Sequence, residues 1–254
     1  MSSHPISSEF NRYFQVVFAD TPELREEVYR IRYDVYCREL GYEPVENFPD
    51  RLEQDVHDKR SRHCLLMHRH RKVYAGCVRL VMPDPSDPGC RLPFEEPCEG
   101  SLYPELIEPI LEHRHAVGEL SRLAVPEHFR RRKGDKGHPI GSLEMLPPKP
   151  NELRQFLHIP MGLYLACSAI GVITGLEGVF AMMEPRLARH LQRFGIIFQQ
   201  VGDIVDHHGP RAAFYISRQT LLDYLNPEIR KLLVDLLAGV SKHEDPVMLS
   251  LAAG

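Results

Sequence analysis

The 254-residue chain lacks a strong excess of charge of either sign. A formal net charge of −4 argues against a dedicated nucleic-acid binder, whose footprint is basic overall. Its arginines are nevertheless clustered, which leaves a local anion site open. No C-x-x-C pair joins the cysteines at 37, 64, 77, 90, 98 and 167. That spacing excludes a small disulfide framework and reads as reduced thiols, several of them core packing. The opening MSSHPISSEFNRYF lacks the basic-then-apolar order of a secretory signal. The most lipophilic stretch, MGLYLACSAIGVITGLEGVFAMM, is broken by glycines and by Glu177. It suits a buried helix followed by a strand better than a membrane span. There is no P-loop, no G-x-S-x-G elbow and no internal repeat. The histidines at 68–70, 113–115 and 206–209 have no carboxylate or cysteine partner at ligand spacing, so no metal site is expected. A soluble cytoplasmic protein without a transmembrane segment follows, with peripheral membrane contact left open.

What is present is a sequence of clear elements. In ADTPELREEVYRIRYDVYCREL, Asp20 or Thr21 caps a helix with Pro22 in its first turn. Leu24, Val28, Ile31 and Val35 repeat at helical spacing and predict the core face, with Arg25, Tyr29, Arg32 and Tyr36 as a second stripe. YEPVENFPDRLEQDVHDK has no sustained period and reads as a loop. HCLLMHR and KVYAGCVRLVM predict a hairpin. Prolines, glycines and acids from Pro83 to Pro109 predict a long irregular connection. AVGELSRLAV follows as a strand, then a loop, then a helix from about Ile159 to Leu176. GVFAMM reads as a strand and EPRLARHLQRFG as a helix, followed by strands in IIFQQVGD and RAAFYISR and a terminal helix in NPEIRKLLVDLLAG. This order predicts one α+β domain over 1–254 with a mixed sheet, its core at about 14–217 and 218–254 a helical extension.

Three segments carry candidate chemistry. Glu53, Asp55 and Asp58 crowd LEQDVHD and repel one another unless cations sit nearby. Arg32, Arg79 and Arg122 are the cations in apolar settings, and an arginine buried in a sheet must be paired or costs several kcal/mol or more. Each segment alone reads as an ordinary solvated charge. Together they favour one clamped network with bidentate geometry. In VGELSRLAV, strict alternation puts Glu119 and Ser121 on one face and Arg122 on the other. If Glu119 and Arg122 serve one cleft, a β-bulge must break the alternation and can offer a backbone N–H to an oxyanion. Beyond Pro126, the basic run Arg130, Arg131, Arg132, Lys133 with Gly134 suits a phosphate or an acidic protein partner. A solvated basic loop is the ordinary alternative. No cysteine has the electropositive setting of a nucleophile.

These residues, taken in order, resemble a known pattern. Arg32, Tyr36 and Tyr42, then Glu53-x-Asp55-x-x-Asp58, then Arg79 in GCVRL, then Glu119-x-Ser121-Arg122 are similar to the acyl-homoserine-lactone synthases in order and spacing. That family shares the N-acetyltransferase-like (GNAT) fold with the long-chain N-acyl amino acid synthases. RIRYDVYCRELGYEP, GELSRLAV, FRRRKG and FAMMEPRLARHLQRFGI further resemble the acyltransferases associated with the exosortase (PEP-CTERM) protein-sorting system, from Phe14 to about Ser217. The lactone synthases usually carry tryptophan where Tyr42 stands and phenylalanine where Tyr36 stands. The Pro83–Pro109 insert and the helix after Ser217 also depart from the pattern.

The resemblance implies a mostly antiparallel central sheet flanked by helices, with a V-shaped cleft between GELSRLAV and GVFAMM. It implies an N-acyltransferase that moves a fatty acyl group from acyl carrier protein or coenzyme A to the amine of an amino acid or related acceptor. The donor is a substrate, and no permanently bound cofactor is implied. Glu119 would act as base, with Ser121 and Arg122 beside it in the catalytic set. Arg32, Tyr36, Tyr42, Glu53, Asp55, Asp58 and Arg79 would shape the acceptor side. Arg130, Arg131, Arg132, Lys133 and Gly134 would dock the carrier or its phosphate. The helix MGLYLACSAIGVITGL either lines an acyl pocket or is simply core. Two other readings stay open: a lactone synthase using S-adenosylmethionine, and a non-catalytic binder of acyl carrier or lipid with the same fold.

Overall fold

The structure is a computed structural model that describes residues 6–130 and 153–240, with no side chains described for 153–157. Helix α1 (Ile6–Tyr13) leads into β1 (Phe14–Phe18), and α2 (Pro22–Arg32) follows. The hairpin strands β2 (Ser61–His68) and β3 (Val73–Val81) precede α3 (Pro104–Leu111) and β4 (Val117–Ala124). Then come α4 (Leu153–Ile173), β5 (Gly178–Met183), α5 (Pro185–Gln192), β6 (Gln199–Gln200), β7 (Val205–Asp206) and β8 (Pro210–Ser217). Helices α6 (Arg218–Tyr224) and α7 (Pro227–Val240) complete the described chain.

The strands form a mixed sheet of order β1-β2-β3-β4-β5-β8-β6, with β7 on β8. β4 and β5 run parallel, whereas β1–β2, β5–β8, β6–β8 and β7–β8 are antiparallel. This is the α+β, mostly antiparallel sheet with flanking helices that the element order and the resemblance imply. Contacts divide the chain into two compact units. The first comprises Met1–Val56, His63–Arg79 and Arg122–Cys167, and the second His57–Arg62, Leu80–Ser121 and Ser168–Gly254.

In the first unit, the Thr21 hydroxyl accepts the Leu24 N–H at 3.3 Å and caps α2, with Pro22 in the first turn. Val28, Ile31 and Val35 pack with Leu65, Cys77 and Ala124, the core face expected from the helical period. Past Arg32 the helix widens into a π-helical segment at Tyr33–Glu39, and the Leu40 N–H reaches back to the Val35 carbonyl. Gly41, at φ 64°, ends it in the left-handed conformation that glycine adopts without a side-chain clash. π-segments of this kind re-aim side chains and are frequent at functional sites.

The second unit is built on Val81, Leu92, Phe94, Val117, Phe180 and Ala213, with Leu106, Ile110 and Tyr215 against them. Here the expectation of an irregular run to Pro109 fails, because α3 spans Pro104–Leu111. Pro104 occupies the first turn, where its missing N–H costs nothing. Pro109 lies inside the helix, and the packing of Ile107 and its apolar neighbours outweighs the one bond it removes. IIFQQVGD likewise yields only the two-residue β6, and α4 begins at Leu153, ahead of the expected Ile159.

Candidate active site

In the first unit, Glu53 and Asp55 hold three arginines in an alternating chain. Glu53 Oε2 accepts from Arg32 Nε, and its Oε1 lies 3.2 Å from Arg122 Nε. Asp55 Oδ2 lies 3.4 Å from an Arg122 terminal nitrogen, while Oδ1 accepts from Arg79 at 2.6 Å. Glu43 closes the chain 3.6 Å from Arg122. Three cations thus face three carboxylates, and charge balance explains how Arg32, Arg79 and Glu53 survive at 0–1 % exposure. Of the acidic loop, Glu53 and Asp55 pair with the three arginines as expected.

Arg122 keeps 28 % of its side chain exposed. Burial works most strongly against its charge, and Arg32 adds to that, but Glu53, Tyr36 and Asp55 together hold the guanidinium pKa above its ordinary value. Its guanidinium carbon sits 5.7 Å over the Tyr36 ring, which in turn stacks on Tyr42 at 6.3 Å. The Tyr36 hydroxyl donates to the Leu123 carbonyl at 2.9 Å, so the π-segment is tied to the end of β4. Tyr42 reinforces the arrangement from its backbone, whose N–H donates to the Tyr36 carbonyl at 2.7 Å.

The alternation of β4 does break. Arg122 adopts φ 52°, a left-handed conformation uncommon for arginine. The parallel ladder with β5 runs from Val117↔Gly178 to Leu120↔Ala181. Ser121, half-buried, and Arg122 follow the last register pair, while β5 stays paired with β8 as far as Met183.

Glu119 lies in the second unit, 2 % exposed, and accepts the Phe94 N–H at 2.8 Å. The Phe94 ring stacks at 4.5 Å on Phe180, the register partner of Glu119. Burial and the Glu119 carboxylate push the Cys98 thiol up to about 11, which removes it as a nucleophile at neutral pH. Asp58 is also buried, on the 3-10 turn Val56–Arg60.

Arg130 departs from the exposed basic loop expected of it. It is 7 % exposed and ion-paired with Glu39, whose carboxylate also accepts the Glu127 N–H at 3.0 and 3.2 Å. A buried arginine needs this counter-charge, so Arg130 anchors the end of the π-segment. Arg131, Arg132, Lys133 and Gly134 lie outside the described residues. The helix expected either to line an acyl pocket or to be simply core is buried at Ile159–Ile170. A shallow, mostly apolar depression lies in the second unit, lined by Ser168, Gly171, Leu176, Val179, Ile216 and Leu221.

Four participants were not anticipated: Glu43, Glu39, Glu95 and Arg114. Glu95 is 5 % exposed and forms a two-bond pair with Arg114 at 2.6 and 2.7 Å. It also accepts the Leu92 N–H at 2.7 Å and so caps the 3-10 turn Pro93–Glu95. A glutamate three residues after the turn's leading residue was a readable capping signal in LPFE, obscured by the surrounding prolines. Among the described residues, no helix is long and apolar enough to cross a membrane. Among the same residues, no group of three or more histidines, cysteines or acids is placed to hold a metal ion.

No curated protein matches the chain in sequence. Residues 31–138 match the family described as Acetyltransferase (GNAT) domain. Among solved structures, the acyl-homoserine-lactone synthase LasI superposes with a TM-score of 0.53 at 14 % identity, covering 88 % of this chain and 95 % of LasI. FeeM, an N-acyl amino acid synthase from uncultured soil microbes, gives 0.51 at 12 % identity over 84 % and 94 %. BjaI, a CoA-dependent acyl-homoserine-lactone synthase solved with SAM and isopentyl-CoA, gives 0.51 at 16 % identity over 89 % of each chain. The chain carries a match to the GNAT acetyltransferase domain, on a fold shared with acyl-homoserine-lactone and N-acyl amino acid synthases.

Proposed function

We propose that the protein is an N-acyltransferase that moves a fatty acyl group from a thioester of acyl carrier protein or coenzyme A to the amine of an amino acid or related acceptor. The observation that carries this reading is the alternating chain Arg32–Glu53–Arg122–Asp55–Arg79. Its one partly exposed cation, Arg122, is pre-set by the carboxylates of Glu53, Asp55 and Glu43 and can engage the carboxylate of an amino acid acceptor. A residue whose backbone is held in a strained left-handed conformation at a charged cluster is a common mark of a working site.

The reaction balances without any further reagent. The acceptor nitrogen attacks the thioester carbonyl carbon, the C–N bond forms, and the C–S bond breaks on collapse. Glu119, directly or through water, takes the amine proton and returns it to the departing thiolate. Backbone N–H groups of β4 beside Ser121 would hold the oxyanion. The acceptor would lie among Arg32, Tyr36, Tyr42, Glu53, Asp55, Asp58 and Arg79. Carrier docking would fall to Arg131, Arg132, Lys133 and Gly134, with Arg130 bracing that loop through Glu39. A role in exosortase-linked protein sorting rests on the four segments that resemble those acyltransferases. The Tyr36 and Tyr42 departures favour an acceptor other than S-adenosylmethionine.

A lactone synthase using S-adenosylmethionine is the second reading, supported by the ordered residue set and by the fold shared with LasI and BjaI. Incubating the protein with acyl-carrier or acyl-CoA thioester and either mixed amino acids or S-adenosylmethionine, followed by mass spectrometry, separates the two. N-acyl amino acids support the first reading, and methylthioadenosine release supports the second. Carrier binding without any acylated amine supports a non-catalytic binder.

A further inference from the structure

We propose that the 92–95 turn is a positioning element for the proton acceptor: the Glu95–Arg114 pair sets the turn, and the Phe94 N–H orients the Glu119 carboxylate and favours its anionic form. This inference rests on the reading of Glu119 as the base.

The chain of contacts lies within the second unit. Arg114, just before β4, grips both oxygens of Glu95 at 2.6 and 2.7 Å. Glu95 in turn accepts the Leu92 N–H at 2.7 Å, which closes the turn. The turn leaves the Phe94 N–H 2.8 Å from Glu119 Oε2, with the Phe94 ring held on Phe180. A carboxylate at 2 % exposure is costly to ionise, and a backbone donor aimed at it offsets part of that cost. Backbone N–H groups suit this task because they cannot rotate away. The insert that departs from the lactone synthase pattern thus supplies the donor that meets Glu119.

Other charged groups line the turn: Arg91, about half-exposed, lies 3.9 Å from Glu95 and 3.6 Å from Glu99. Glu95 is neutralised by Arg114. Cys98 is pushed up to about 11 by burial and by Glu119 itself. Tyr215, on β8 against Phe180, is raised by burial and by Glu177, so its hydroxyl stays neutral at working pH. β5 contributes Phe180, which does not titrate.

The test replaces Phe94 with phenyllactic acid, which keeps the ring and removes only the N–H. At saturating thioester, the acid limb of the turnover–pH profile is expected to move up by about one pH unit or more. The acceptor KM should stay within about twofold, because the acceptor cluster is untouched. Arg114→Met is expected to shift the same limb in the same direction by less. Adding Glu95→Gln in the same chain should restore the limb, since the neutral pair still accepts the Leu92 N–H. A purely structural turn would lower the melting temperature of these variants and leave the limb where it is, and that result overturns the inference. Should the ester variant fail to fold, the Arg114→Met and double-variant profiles decide by the same criterion. Glu119→Gln separates the two levels. Turnover retained in Glu119→Gln removes the base reading itself, and the inference falls with it. Turnover lost there, with an unmoved limb in the other variants, removes only the role of the turn.

Discussion

Glu53→Gln is the substitution whose consequence can be worked furthest. Glu53 is 1 % exposed and binds Arg32, itself 0 % exposed, and Arg122. Glutamine keeps the shape and one acceptor oxygen but removes the charge, leaving the buried Arg32 cation without that partner. Breaking one side of a buried ion pair costs about 3–5 kcal/mol. The retained oxygen puts the expectation at the lower end, about 3 kcal/mol. In a domain of this size that corresponds to roughly 6–12 °C in melting temperature. The control is Arg30→Ala, which breaks pairs with Glu26 and Glu27 at about half-exposure and should cost less than about 1 kcal/mol. Equilibrium urea denaturation with an unchanged slope measures both. A Glu53→Gln protein within about 1 kcal/mol of the parent, or no weaker than the Arg30→Ala protein, refutes the claim that charge balance holds the cluster together.

Two further outcomes follow from the ionisable groups. Burial works to raise the Glu95 pKa, but the Arg114 hydrogen bonds and the Leu92 N–H outweigh it and hold the carboxyl below its ordinary 4.5. A depressed folded pKa contributes stability that is present above the unfolded value and lost as pH falls through the folded one. The stability gap between the parent and Glu95→Gln should therefore be full at pH 7 and shrink on acidification below about pH 4; urea titrations that show the gap widening contradict this. Burial, with Glu53 and Glu43, pushes Cys37 up to about 11, as burial and Glu119 do for Cys98. At pH 8, iodoacetamide should label the half-buried Cys90 well before either, read by peptide mass spectrometry. Cys98 reacting as fast as Cys90 would remove the buried-thiol picture.

Much of the arginine–carboxylate cluster was legible in the sequence because of one physical rule. An arginine within an apolar strand demands a partner, and LEQDVHD held the carboxylates, so Arg32, Arg79 and Arg122 pointed to Glu53, Asp55 and Asp58 as one network, of which Glu53 and Asp55 carry the pairs. The left-handed backbone at Arg122 matches a conflict the sequence posed conditionally, between alternation and two charges on one short strand. Glu43 was not, since a glutamate beside Gly41 and Pro44 looks like any turn residue. Arg130 misled because four consecutive cations read as a solvated run, while the burial of one depends on Glu39, 91 positions earlier. The Pro83–Pro109 stretch hid a helix and the Glu119 contact because local proline statistics carry no record of which apolar side chains find a core. Long-range pairing is what a single sequence states least clearly.

The central claim is that Glu119 takes the proton of the acceptor amine. Single-turnover acyl transfer by Glu119→Gln, run beside acyl-carrier affinity and a melting curve, tests it most directly. The expected result is a rate lower by about 10²–10⁴-fold with carrier affinity and fold retained. A Glu119→Gln protein that transfers acyl groups within about tenfold of the parent rate contradicts the account.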